Sequence, residues 1–289
     1  MTFSIVARAE EAYGVAVASK FLAVGAVVPA AEAGAGALAT QSYANVAYRP
    51  QGLALLRTGV DAAGVAAGLT AADPDRARRQ LGVVSAAGPG ASFTGADCHD
   101  WAGGEAGDGW AAQGNLLAGP QVVTAMRDAW LARGAGGNHR GGTAGLRLAG
   151  RLLAALRAGD AAGGDRRGRQ SAAVLVVAAG QGYGGTSDAA VDLRVDDHPD
   201  PTGELGRLLD VHRLLYDEPE PDEVLELTGP LADEVRARLA GLAHPATDDS
   251  PAALDAALAG WAGVENLEGR IIPGKMDPLV LDRLRASAG

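Results

Sequence analysis

Thr2-Phe3-Ser4-Ile5-Val6-Ala7, then a polar Arg8–Tyr13, then Gly14-Val15-Ala16-Val17-Ala18-Ser19 is the stretch that decides the fold of this chain. Both apolar segments are short and rich in strand-forming residues, and the polar link between them predicts a hairpin. The first strand starts at the second residue. Chain ends commonly fray, so a strand there needs a partner on at least one side.

Working outward, Phe21–Ala39 reads as strand–loop–strand, with a further strand at Gly36–Gln41. Pro50–Thr58 and Asp61–Leu69 predict helices, the second capped by Asp61. Asp73-Pro74 predicts the start of another short helix. Leu81–Ser85 and Ala91–Thr94 flank a turn-rich link and predict a hairpin. A Gly-rich loop, Gly95–Gly109, leads to a strand at Trp110–Gly114. Gly119-Pro120 opens a helix through Ala132, Gly134–Gly142 is a break, and Leu146–Arg157 repeats Leu near helical spacing. The loop Gly163–Arg169 feeds Ser171–Ala179, the most apolar run and the best candidate for a buried central strand. Val191–Val195 is a last strand and Pro201–Tyr216 a last helix of the body. Strands and helices come in blocks rather than in βαβ alternation. The expected class is α+β, with two mostly antiparallel sheets covered by helices.

Composition divides the chain. Gly contributes 42 and Ala 62 of 289 residues, and only 12 are aromatic, so the 47% hydrophobic content is largely Ala. Residues 1–216 carry 20 acids and 19 bases, whereas 217–289 carry 15 acids and 6 bases, so nearly all of the net −10 lies in the tail. Two domains are expected, 1–216 and 217–289. In the tail, Pro221–Leu227, Pro230–Leu242, Pro251–Trp261 and Asp277–Ala286 each begin with Pro in or near the first turn, which predicts a small helical module. A sequence pI near 5.0 argues against a nucleic-acid partner. No run of about 20 apolar residues predicts a membrane span. With one cysteine, Cys98, no intrachain disulfide is possible, and no signal peptide is visible. A cytoplasmic protein is expected.

Four places offer chemistry. A small residue after Met1 favours removal of the initiator, which would give Thr2 a hydroxyl and a free α-amine. The amine, with a reference pKa of about 7.7–8.0, is a base for its own hydroxyl. A plain start codon followed by Thr is the alternative. Lys20 stands out because the body has no other Lys. Desolvated, it can tune a neighbouring hydroxyl, and an ordinary edge charge is the competing reading. The loop Gly163–Arg169 offers backbone amides that suit an anion or a carbonyl oxygen, or it is a solvated turn. Asn115, after Gln113-Gly114, offers an oxyanion donor or a helix cap. Asp97-Cys98-His99-Asp100 carries metal-type residues, but adjacent side chains diverge and no paired spacing supports them, so neither a metal nor a cofactor is expected. Gly269–Met276 resembles a phosphate loop, yet Met276 stands where the Mg²⁺ hydroxyl should be.

Met1–Arg8, Gly14–Phe21 and Val24-Gly25 together resemble the opening of the DUF1028 family, placed in the N-terminal-nucleophile hydrolase superfamily. Ala39-Thr40-Gln41, Gly52–Leu56, Arg79–Gly82, Phe93–Gly95, Gln113–Asn115, Gly163–Val177 and Val191–Asp196 follow in order, covering about residues 1–215. The resemblance implies a four-layer αββα sandwich, as in proteasome β-subunits, with the nucleophile on the first strand, here Thr2. It implies an amidohydrolase acting through an acyl-enzyme, with Ser19 or Lys20 as an auxiliary group, beside Asn115 as the candidate oxyanion donor. Thr40, Asp165, Arg169, Gln170 and Ser171 are the candidate substrate-binding residues, and the expected substrate is a small-molecule or peptide amide. A ligand-binding or scaffold protein on the same fold is the alternative, and a homo-oligomer is expected. Leu258–Glu268 and Met276–Leu281 resemble the helical module called peptidoglycan-binding. The tail's acidity gives it no evident affinity for an acidic polymer, and an interaction or oligomer-stabilising module is the competing expectation.

Overall fold

The computed structural model describes residues 2–132 and 142–287. The predicted break Gly134–Gly142 lies outside them except for Gly142. In chain order the first unit has strands β1 (Thr2–Ala9), β2 (Ala12–Ser19), β3 (Pro29–Glu32) and β4 (Gly36–Ser42), then helices α1 (Tyr48–Arg57) and α2 (Ala62–Ala71). Strands β5 (Arg79–Ser85), β6 (Ala91–Thr94), β7 (Gly103–Gly107) and β8 (Trp110–Asn115) come next, followed by α3 (Gln121–Leu131) and α4 (Ala144–Ala161). Strands β9 (Ser171–Ala178) and β10 (Ala189–Val195) follow, and then helix α5 (Pro201–Tyr216), whose residues from Asp210 on belong to the second unit.

Two antiparallel sheets result, one ordered β10-β9-β2-β1-β8-β7 and the other β3-β4-β5-β6. The opening hairpin forms as expected, in register from Phe3↔Ala18 to Ala9↔Ala12. The first strand is not left to fray, because β8 pairs along its other edge from Thr2↔Asn115 to Ala7↔Trp110. The apolar run at Ser171 is β9, between β2 and β10.

Side chains alternate across a strand, and that alternation builds three cores. Phe3, Ile5 and Ala7 face α3, α4 and α5 with Leu148, Leu152 and Leu156. Val6, Val15 and Val17 face the second sheet, meeting Ala37, Ala39 and Val84. Leu38, Leu81 and Val83 turn away from that interface toward α1 and α2, with Tyr48, Val65 and Leu69. The small residues let these layers approach. A Cβ on Gly14 would lie 2.7 Å from Leu152 Cδ1, so the sheet–α4 spacing requires glycine there.

Three elements differ from expectation. Gly103–Gly107, within the predicted loop Gly95–Gly109, is the edge strand β7. Its Gly-Gly-Glu-Ala-Gly has no apolar alternation, and its backbone pairing to β8 makes it a strand. No α-helix opens at Asp73-Pro74; a short 3₁₀ turn forms at Arg76–Arg78 instead. Asp73 is buried because its carboxylate is a hub, accepting from Arg79 Nε (2.8 Å), Tyr48 Oη (2.7 Å), Asn45 Nδ2 (3.2 Å) and the Asp75 N–H (2.8 Å). The predicted helix Pro221–Leu227 is a turn followed by a two-residue strand.

The second unit, Asp210–Gly289, has its own core. It contains β11 (Leu225–Glu226), α6 (Gly229–Gly241), α7 (Pro251–Val264), β12 (Lys275–Met276) and α8 (Pro278–Ser287). Strand β11 forms because β12 offers it a partner, with Leu225↔Met276 and Glu226↔Lys275 in register. Leu214 and Leu215, in the last turns of α5, pack against this core. Arg270 and Asp277 form a buried ion pair at 2.8 Å, and Arg270 Nη1 also donates to the carbonyls of Arg213 and Asp217. Among the described residues no helix is long and apolar enough to cross a membrane.

The Arg79 guanidinium, with the Tyr48 hydroxyl, holds the Asp73 carboxyl well below the usual carboxylate range. Burial, followed by its hydrogen bond to Asp73, pushes the Tyr48 hydroxyl up. The Asp73 contribution to stability is therefore complete above the unfolded Asp pKa of about 3.9 and is lost as pH falls below it toward the depressed folded value. Asp73→Asn leaves Arg79 without its buried partner and should cost about 3 kcal/mol. Urea denaturation at neutral pH measures the loss, which should shrink as the wild type is titrated below about pH 4.

Candidate functional site

One end of the space between the sheets is apolar and the other is polar. At the polar end five strands converge. Thr2 and Ser4 come from β1, Ser19 from the end of β2, Gln41 from β4 and Gln80 from β5. Gln113 and Asn115 come from β8. Ser4, Gln41, Gln80, Gln113 and Asn115 are all buried, and Thr2 is only 6% exposed. The same alternation that sends Val6 and Ala39 into the inter-sheet core sends Ser4, Thr2 and Gln41 there too.

Thr2 Oγ1 lies 3.2 Å from Ser19 Oγ. The pair is adjacent because the hairpin register that sets Phe3 opposite Ala18 brings residues 2 and 19 side by side. The Thr2 carbonyl accepts from Gln41 Nε2 (3.3 Å) and Asn115 Nδ2 (3.4 Å). Both amides also donate to Gln80 Oε1 at 2.8 Å. Gln80 Nε2 donates in turn to the Gly114 carbonyl (2.7 Å), Thr94 Oγ1 (2.9 Å) and the Gly103 carbonyl (3.3 Å). Below this, Gln113 Nε2 donates to Ser4 Oγ (2.7 Å), and Ser4 Oγ donates to Gln41 Oε1 (2.6 Å). An unmade bond in such a place costs about 1–3 kcal/mol, which favours this arrangement of the Gln41, Gln80 and Asn115 amides; Gln113 Oε1 is buried without a hydrogen-bond partner.

The remaining sequence-predicted residues fall in different places. Lys20 is exposed, and its ammonium donates to the Arg169 carbonyl at 3.2 Å. The desolvated lysine is thus replaced by a solvated one, because the chain leaves the sheet immediately after Ser19. Asn115 ends a strand and caps no helix. Its amide is committed to Thr2 and Gln80, which removes its side chain as a spare oxyanion donor. Thr40 is buried on the opposite face of β4 from Gln41, with its hydroxyl on the Asn45 carbonyl (3.3 Å), and so points away from Thr2.

The Gly163–Arg169 amides are consumed internally. Gly163, Gly164 and Gly168 donate to backbone carbonyls within residues 159–165, Arg166 to Leu116 O and Arg167 to the Asp165 carboxylate. That leaves no anion nest at these five positions. The loop instead carries buried Asp165, which accepts the Lys20 N–H at 2.8 Å and so fixes the end of β2 beside Thr2. Arg169 pairs with Asp160 at 2.9 Å, and the Gln170 carbonyl accepts the His198 N–H at 2.7 Å. Ser171, buried opposite Ser19, bonds the Phe21 carbonyl and the Val24 N–H and shapes the turn after β2. Cys98 Sγ donates to the Arg79 carbonyl (3.3 Å), and His99 Nε2 lies 3.3 Å from Tyr43 Oη.

Gln41, Gln80 and Gln113 were not singled out as site residues from the sequence. The available signal was an amide at a strand position whose period-2 neighbours are Ala, Gly or Val: Ala39 before Gln41, Gly82 after Gln80 and Ala111 before Gln113.

Fold and site together define an α+β protein of two stacked antiparallel sheets with a helical C-terminal region and a buried hydroxyl pair at the first position of a central strand. The chain belongs to the DUF1028 family, described as a family of unknown function, which it matches over residues 2–205. Residues 215–284 match the family described as "Putative peptidoglycan binding domain". The structure is similar to the crystal structure of a DUF1028 protein, SPO2555 from Silicibacter pomeroyi. The TM-score is 0.62 at 31% identity, covering 81% of this chain and 92% of that one. No curated protein matches the chain.

Gly82 is what lets Gln113 reach across. A Cβ at residue 82 would overlap the Gln113 carboxamide, which is fully buried and has nowhere to swing. Gly82→Ala should cost about 1–3 kcal/mol, seen as a lower Tm, whereas Gly34→Ala, with open space around its Cβ, tests only the backbone.

Proposed function

We propose that the body is an amidohydrolase of the N-terminal-nucleophile type, with the αββα sandwich of that superfamily and Thr2 as its nucleophile. The observation that carries the reading is the Thr2–Ser19 hydroxyl pair, 3.2 Å apart, on the inter-sheet face at the start of a paired central strand. Removal of Met1 would free the Thr2 amine. Thr2 Oγ1 then attacks the amide carbon while the amine takes the hydroxyl proton. The same proton passes to the leaving amine as the C–N bond breaks, giving an ester on Thr2. Water, deprotonated by the amine, releases the acyl group as a carboxylic acid and restores the hydroxyl. Backbone N–H groups would hold the oxyanion, and Ser19 orients the Thr2 hydroxyl.

A second reading, a non-catalytic binding protein on this scaffold, is favoured by one fact: Lys20, the cation expected near Thr2, has its ammonium on the Arg169 carbonyl.

Intact-mass spectrometry should show Met1 removed, and a β-lactone should add once, at Thr2. Thr2→Ala should abolish the adduct, and Ser19→Ala should slow it about 10- to 100-fold. Retained Met1, or no adduct at Thr2, overturns the catalytic reading. For the tail we propose an interaction or assembly-stabilising role within a homo-oligomer, supported by its separate core and its net −9 charge. A chain ending at Leu209 should then sediment as a smaller assembly than the full chain. An unchanged assembly state would make the tail accessory.

A further inference from the structure

We infer that Gln80 is a positioning residue for Thr2, acting through the side chains of Gln41 and Asn115. The inference rests on the Thr2 nucleophile reading and goes beyond it by naming what holds the nucleophile in place.

The argument follows from which atoms can donate. Gln80 Nε2 faces the carbonyls of Gly114 and Gly103, which only accept, so its amide can sit one way round. Its Oε1 must then face Gln41 and Asn115. Each of these has two amide hydrogens. One goes to Gln80 Oε1; the second points at the Thr2 carbonyl in Asn115, and in Gln41 it is shared between the Thr2 carbonyl (3.3 Å) and the Gln113 carbonyl (3.4 Å). The orientation of Gln41 is set from below as well, because Ser4 donates to its Oε1 and Gln113 donates to Ser4. Two donors from opposite sheets therefore converge on one carbonyl oxygen, that of the residue carrying the nucleophile. Without them the first residue of a strand has few restraints beyond pairing with β8 and the Ser19 contact. An N-terminal nucleophile whose base is its own amine needs its backbone held still, since hydroxyl and amine share one Cα. Small misplacements at a reacting centre cost up to about 100-fold in rate.

The test is the rate of β-lactone labelling at Thr2 in the full-length chain, measured across pH at a temperature where every variant is folded by circular dichroism. Gln80→Leu removes the shared acceptor, and Asn115→Ala removes one of the two donors. Should Gln80→Leu fail to fold, Asn115→Ala carries the test. Tyr48→Phe, which breaks the buried bond to Asp73 elsewhere in the body, is the control for lost stability. The expected result is labelling slowed about 10- to 100-fold in Gln80→Leu and Asn115→Ala. The plateau of the pH profile should fall while its midpoint stays, because the base is unchanged. Tyr48→Phe should label at the wild-type rate despite its lower Tm. Labelling within twofold of wild type in the folded network variants overturns the inference while leaving the nucleophile reading intact. Equal slowing in Tyr48→Phe overturns it too, by reducing the effect to general stability. An unlabelled wild type instead sinks the nucleophile reading and this inference with it.

Discussion

The structure depends on how the carboxamides buried between its two sheets bond one another and the backbone around them. Gln80 Oε1 takes one hydrogen each from Gln41 and Asn115, and its own amide returns hydrogens to the backbone of β7 and β8. These bonds tie the four-stranded sheet to the six-stranded one at the end where Thr2 sits. At the other end the sheets meet through Val6, Val15, Ala37, Ala39 and Val84, and that contact is apolar and undirected. The apolar half supplies attraction and the polar half supplies register. A slip of one residue in β4 or β5 would turn Gln41 or Gln80 into the helix-facing core.

The Ala and Gly content follows from the same architecture. Helix α4 packs directly on β2 through Gly14, and Gln113 crosses to β5 through Gly82. Larger residues at these positions would separate the layers and leave the amides out of reach of each other. The charge of the chain has no part in this. Its excess belongs to the second unit, where Arg270 and Asp277 form the one ion pair in which both side chains are under 5% exposed among the described residues.

The candidate site inherits its geometry from strand pairing. Thr2 meets Ser19 because the hairpin is in register, and meets Asn115 because β8 pairs along the other edge. The loop after α4 then closes the end of β2 through the Asp165 carboxylate on the Lys20 N–H. Residues that look chemical in sequence, such as Lys20 and Arg169, lie on the outside of this arrangement. Uncharged amides and hydroxyls line the inside.

Local sequence determined a good deal. The opening hairpin, β5 with β6, the apolar β9, helices α2 to α5 and the helical character of the tail all followed from period, caps and turn residues, because those signals act over a few neighbours. The candidate residues Thr2, Ser19 and Asn115 were also legible, as strand ends beside a family-like motif. Strand β7 was not, since its glycines become a strand only when β8 supplies the hydrogen bonds. The fate of Asp73 was hidden as well, because a carboxylate that looks like a helix cap was claimed by Arg79 and Tyr48 from other elements. The tertiary structure alone decided that Thr40 turns outward while Gln41 turns inward. It also decided that three glutamines, quoted from the sequence only within the family-like segments, form with Asn115 the amide layer beside Thr2. An amide's role depends on which acceptors the second sheet places opposite it, and no stretch of one strand contains that information.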